Sequence, residues 1–175
     1  MACAQTLSGL VHDCLPSIGG IKAVYIANAS DVDTITESSG KITGITMNAS
    51  AKFKKYEFLK RTGSLSSNWQ IDDANGSKFV QSDLVLQFNR MDATKAVEIA
   101  ALAQGELAVI VKDANGEYWY LGLDAPVRAS AGDGLTGTAR ADRNGYSITL
   151  QDNSLNLPAN IKVGDGGVDL SAIVA

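Results

Sequence analysis

The sequence predicts a mainly β protein, an antiparallel β-sandwich or partly closed barrel with one flanking α-helix. Three observations carry this reading. Asn-Gly pairs stand at Asn75-Gly76, Asn115-Gly116 and Asn144-Gly145 beside β-forming runs. Asn-Gly is the strongest short hairpin signal, because both central turn positions want positive φ. Val80, Leu84, Leu86 and Phe88 alternate with Gln81, Asp83, Gln87 and Asn89, the period of two that marks a sheet with one dry face and one wet face. Only one segment, Ala93–Ala103, reads convincingly as a helix.

In chain order, residues 1–20 form an irregular opening arm, broken by Pro16 and the Gly19-Gly20 pair. Ile21 to Ala27 is apolar and rich in β-formers. Asn28 to Asp33 is turn-rich, and a strand pair follows over Thr34–Glu37 and Lys41–Met47, joined by Ser38-Ser39-Gly40. Lys52 to Arg61 reads as a long strand, with Tyr56 and Phe58 on one face and Lys55 and Glu57 on the other. Phe53 is out of phase with Tyr56, which implies a bulge near Lys54-Lys55. Thr62 to Ser77 reads as a long polar loop punctuated by Leu65, Trp69 and Ile71. A loop of that length in a compact domain is often functional, and its apolar teeth are those of a docking segment.

After the alternating strand, Asp92 is the expected N-cap of the helix. Lys95 and Glu98 form its polar side, its many apolar residues suit a buried helix, and Gly105 suits the C′ position. Leu107–Val111 is a short central strand. Asp113-Ala114-Asn115-Gly116 turns the chain into Glu117–Leu121. A further strand is expected within Leu135–Asp142, and the last in Tyr146–Leu150, where Tyr146, Ile148 and Leu150 face one way. From Asn153 onward, Pro158 and Gly164, Gly166 and Gly167 suggest an extended arm, 153–175. No internal repeat is evident, so 1–175 reads as a single domain with two terminal arms.

Bulk properties narrow the function. With 175 residues, 45% hydrophobic and 19% charged, the chain can bury a core without disulfides or metals. No apolar run approaches the ~20 residues of a membrane span, and no signal peptide is recognisable. A soluble protein, intracellular when made, is expected. The net charge of −4 disfavours phosphate contacts. Lys52, Lys54, Lys55, Lys60 and Arg61 read as the solvated side of a strand, so specific DNA recognition is not expected.

Chemistry is thinly represented. Cys3, Cys14 and the lone His12 cannot complete a four-ligand zinc site, and the cysteines read as small apolar residues or free thiols. There is no P-loop, no GxGxxG opening a helix after a strand, and no GxSxG elbow. His12, Asp13 and Cys14 are adjacent in sequence, and adjacent residues rarely converge on one reacting atom. Asp31/Asp33, Asp72/Asp73 and Asp165–Asp169 lack the EF-hand alternation and read as turn residues. Tyr118-Trp119-Tyr120 alternates between two faces of a strand. No enzyme, cofactor or metal is expected.

The order strand, long polar loop, strand, capped helix, hairpin, final hairpin carries a resemblance. Its motifs are Gly19–Asn28, Thr62-Gly63-Ser64, Asn75-Gly76-Ser77, Gln81–Leu86, Met91-Asp92-Ala93, Leu107–Gly116 running into Tyr118–Gly122, Thr136–Ala139 and Asn144–Leu150. Over roughly residues 17–150 the chain resembles the tail-tube or head–tail ring proteins of bacteriophages that infect gut Bacteroidetes, including the crAss-like group. It departs from that pattern at the Gly-rich Gln151–Ala175 end and in the first 15 residues.

The resemblance implies a tail-tube-like virion protein that stacks in rings, six-fold for a tube, with twelve-fold the expectation for a connector between portal and tail. Its partners would be itself and neighbouring tail or portal-ring proteins. DNA would pass through without specific binding, and no membrane is involved. Leu65, Trp69 and Ile71 would anchor the loop between subunits. The bore would be neutral or acidic, with Gln81, Asp83, Gln87 and Asn89 as a candidate lumen face. The alternative is a carbohydrate-binding or adhesion module using Trp69 or Trp119 with nearby Asp and Asn.

Overall fold

The computed structural model describes residues 7, 9–12 and 14–175. The Cys3 and Asp13 readings lie outside the described residues. The chain builds two sheets packed face to face. The strands are β1 (Ile21–Asn28), β2 (Val32–Ser38), β3 (Lys41–Met47), β4 (Lys54–Tyr56), β5 (Ser64–Asp72), β6 (Ser77–Asn89), β7 (Leu107–Asp113), β8 (Tyr118–Leu121), β9 (Arg128–Leu135), β10 (Gly145–Ser154) and β11 (Ala159–Ile161). Helix α1 (Ala93–Gln104) follows β6, and a single turn, α2 (Leu170–Ile173), lies near the C-terminus. A seven-stranded sheet runs β2-β3-β11-β8-β7-β1-β4, and a four-stranded sheet runs β5-β6-β10-β9.

Burial explains this layering. In β7, Leu107 to Val111 are all buried, so the strand is covered on both faces and sits inside the larger sheet. Leu107, Val109 and Val111 meet Val24 and Ile26 of β1, and together they pack on Leu84 and Leu86 of β6 and Ile148 and Leu150 of β10. Ala108 and Ile110 point the other way, into a second core with Ile42, Ile45, Phe53 and Tyr120. The Asn115-Gly116 turn connects β7 to β8 as expected, with Gly116 at φ +100°.

The second core corrects the reading of 153–175 as an arm. Strand β11 inserts between β3, which it meets in parallel, and β8. Val168 and Ile173 are buried against the outer face of the larger sheet. The Phe53 N–H donates to the Ile173 carbonyl at 2.8 Å, and the Ala175 N–H to the Phe53 carbonyl at 2.9 Å. A sheet apolar on both faces needs a cover on each, and Ile161, Val168 and Ile173 supply one from positions too sparse to show periodicity.

Other expectations shift. The long strand 52–61 shrinks to β4, beside which the out-of-phase Phe53 is buried and bridges Val174. The strand sought in 135–142 is β9, seven residues earlier at its start. Residues 136–144 instead form a loop held by the Asp142 carboxylate, which accepts from the Thr138 and Ala139 N–H groups at 2.8 and 2.7 Å. Asp92 caps α1, accepting from the Lys95 N–H at 2.9 Å. Gly105 lies at φ −81° and not in the left-handed region. The helix is less buried than its composition implied: Leu102 and Ile99 face the core while Val97 is exposed.

Candidate functional site

The segment 62–77 is not a loop. It is the first half of a β-hairpin: β5 pairs with β6 from Ser64↔Val85 to Asp72↔Ser77. Its turn is built by Asp72, whose carboxylate accepts from the Ala74 N–H at 3.0 Å, and Gly76 supplies φ +66°. The Asn75 side-chain amide and the backbone N–H groups of Asn75 and Ala74 hold the Asp72 carboxyl below its ordinary range. Asp72 is thereby a turn residue.

Pairing sets Leu65, Ser67, Trp69 and Ile71 opposite Leu84, Ser82, Val80 and Lys78, all on the dry side of the sheet. The three predicted anchors therefore share one face, but not one environment. Leu65 packs against the inter-sheet core, whereas Trp69 and Ile71 are 52% and 60% exposed. The hairpin projects past the sandwich and carries its apolar stripe with it.

The opposite face gathers the candidate lumen residues. Gln81, Asp83, Gln87 and Asn89 line up on β6 beside Ser147, Thr149, Gln151 and Asn153 of β10 and Ser66, Asn68 and Gln70 of β5. Asp83 is wrapped by amides: Gln81 Nε2 donates to it at 3.0 Å and Gln151 Nε2 at 2.9 Å. Across these two central strands the face holds one carboxylate and no cation. Charges appear at its β9 margin, already paired: Arg128 with Glu106, and Asp133 with Arg143 and the Ser147 hydroxyl. The Ser147 hydroxyl, then Arg143, lower the Asp133 carboxyl. Strands β5 and β9 end the sheet, each with one side that has no partner strand among the described residues.

The aromatic run divides as its alternation predicts. Trp119 packs on the inter-sheet core and its Nε1 donates to Asp113 Oδ2 at 3.1 Å, while Tyr118 and Tyr120 belong to the second core. Trp119 is thereby committed to the body, which leaves Trp69 as the exposed indole. Among the described residues, no group of three His, Cys, Asp or Glu is placed to hold a metal.

One polar feature escaped the sequence reading. Ser67, Ser82 and Asp152 form a row on the dry side of the smaller sheet, with Ser67 Oγ 2.8 Å from Ser82 Oγ and Asp152 opposite Ser82. The parity of Tyr146, Ile148 and Leu150 already aimed Asp152 inward. Its Oδ1 has no hydrogen-bond partner among the described residues. Burial pushes the Asp152 carboxyl up, the Gly122 N–H opposes this, and Asp124 adds to the rise.

A carboxyl whose native pKa lies above its unfolded value binds its proton more tightly when folded. Its charge therefore costs stability progressively as pH rises from the unfolded value, about 3.9, through the raised native one. Asp152→Asn is expected to stabilise the fold at neutral pH, on the order of 1 kcal/mol, and to lose that advantage near pH 3. Thermal melts of both proteins across that range check it; a variant less stable at pH 7 would contradict the assignment.

No family model, curated protein or solved structure matches the chain.

Proposed function

We propose that the chain is the repeating subunit of a bacteriophage tail tube, closing into rings through which DNA passes. The observation that carries this reading is the four-stranded sheet, with two edge strands and an open, mostly polar face on which Asp83, Val85 and Phe79 interrupt the amides and hydroxyls. Unpaired edges invite strand addition. If β5 of one copy pairs with β9 of the next, the contact is heterologous, and rotation closes it into a ring.

Six copies, the symmetry the resemblance implies, then make a 24-stranded barrel. At about 4.8 Å between strands and a tilt of about 35–45°, its backbone cylinder is roughly 45–50 Å across. Side chains narrow this to a bore that still admits a duplex. Twelve copies joined the same way would double the diameter, which favours the tube over a connector.

Such a wall would carry Gln81, Asp83, Gln87 and Asn89. With one carboxylate and no cation on this face of the two central strands, it would not grip phosphates, whose binding grows with each Lys or Arg contact. The projecting hairpin would then reach the next ring through Trp69 and Ile71.

Negative-stain microscopy of the purified protein tests the reading: rings or tubes are expected. A strict monomer at high concentration, or tight duplex binding by the assembly at physiological salt, would overturn it. Trp69→Ala is expected to weaken ring stacking by about 2 kcal/mol, as for an interface hot spot, with the melting temperature of the monomer unchanged. Sedimentation velocity measures the first and circular dichroism the second.

A further inference from the structure

The opening segment pairs a sequence pattern with a cavity. Leu7, Leu10, Val11, Cys14, Leu15 and Ile18 are spaced i, i+3, i+4, i+7, i+8, i+11, which on a helix forms a single apolar stripe. In the isolated chain this segment is not helical at its described residues, and Leu7, Leu10 and Val11 are at least nine-tenths exposed. Beside its base lies a groove of about 500 Å³, lined by Ile18, Ile21, Leu65, Trp119, Leu157 and Pro158. Leu65 begins the stripe that continues through Ser67 to the exposed Trp69 and Ile71, so groove and hairpin form one continuous dry face.

We propose that residues 7–15 of one copy dock in this groove on a second copy as a short amphipathic helix; this rests on the ring reading, in which a second groove is always near. A nine-residue helix is marginal alone and forms only when its stripe is covered. Gly9, at φ +76° here, sits on the polar side of the pattern and turns helical on docking. Each buried Leu or Val removes roughly 100 Å² from water. Four such residues with Cys14, and the groove surface they cover, give roughly 1,000 Å², about what a specific contact requires.

A lipid surface fits less well. The first Lys or Arg in the sequence is Lys22, so the polar side of the stripe, with His12 as its one imidazole, lacks the Lys and Arg that hold a helix on anionic membrane. The groove rim is likewise polar without a cation, from Ser17, Ser64, Asp113 and Asn115.

Cys14 is an exposed free thiol within the stripe and serves as a probe. In the full chain carrying Cys3→Ser and Leu157→Cys, a short bis-maleimide should join Cys14 to the introduced thiol. Mixing isotopically heavy and light copies tells links between copies from links within one. Links between copies, reduced at least tenfold by Leu10→Asp with Val11→Asp, are the expected result. Links only within one copy overturn the proposal, as does their absence from preparations in which microscopy shows rings. That last result leaves the ring reading intact. Links between copies in open chains without rings uphold the arm contact and end the ring reading instead. Sedimentation with phosphatidylserine vesicles that Leu10→Asp abolishes would assign the arm to membrane and overturn the contact between copies.

Discussion

Gly145→Ala is expected to destabilise the protein by about 3 kcal/mol or more, at the upper end of what overpacking costs. Gly145 opens β10 between Asn89 of β6 and Leu135 of β9. A Cβ built there would lie 2.0 Å from the Phe88 carbonyl oxygen and 3.1 Å from the Asn89 Cα. Both are backbone atoms of a paired strand, so no side chain can swing aside. The neighbouring Asn144 adds rigidity: its side-chain oxygen accepts from the Met91 N–H at 2.8 Å and its carbonyl from the Arg90 N–H at 2.7 Å. At about 2–4 °C per kcal/mol for a chain of this size, the melting temperature should fall by roughly 10 °C. Gly19→Ala, where a Cβ meets nothing within 4 Å, is the control and should shift little. Thermal denaturation followed by circular dichroism decides; equal melting of the two variants would refute the close approach.

Phe53→Ala should cost about 3–5 kcal/mol, the range for deleting a buried aromatic. Phe53 is fully buried in the second core. Its backbone also holds both Ile173 and Ala175, so the cavity opens beneath the clasp that covers Ile42, Ile45 and Tyr120. The loss should be local before it is global. Hydrogen exchange at residues 168–175 should quicken more than in the smaller sheet, whose core Phe53 does not touch. Exchange measured by mass spectrometry, alongside chemical denaturation, tests both parts. Uniform quickening across both sheets would argue against a separate clasp.

What was legible in the sequence was local. Strands β1, β2 and β3, the Asn115-Gly116 hairpin and the Asp92-capped helix each carry their signal within a few residues. The dry and wet faces of β6 follow from strict alternation alone. Strand β5 was hidden because Ser64, Ser66, Ser67, Asn68 and Gln70 are typical of loops; an edge strand with a solvated face can be this polar. The pair Asn75-Gly76 and the alternation Leu65, Trp69, Ile71 were the markers of its hairpin. In β9, the run Arg-Ala-Ser-Ala-Gly-Asp-Gly-Leu has little strand preference, and its conformation comes from β10 beside it. The clasp depends on contacts with residues more than a hundred positions away, which no window along the chain can reveal. On the candidate site, the spacing of Leu65, Trp69 and Ile71 puts all three on one face of β5, while the groove beside them exists only once β5 and β8 approach in space.

The two sheets interleave along the chain, and this also sets an order of events in time. Strand β5 meets β6 across a tight turn, and β9 meets β10 across one short loop, so the rims of the smaller sheet form from near neighbours. In the larger sheet, Lys41 must find Asn160, and β1 must find β7 beyond everything between them. Loop closure over such distances is slow, while hairpins close within about 1–10 μs. A folding chain therefore displays strand edges ready to pair with another molecule before its own body is complete. The same rims that would join subunits are, for that interval, where incompletely folded chains meet, and the yield of native protein depends on keeping them apart.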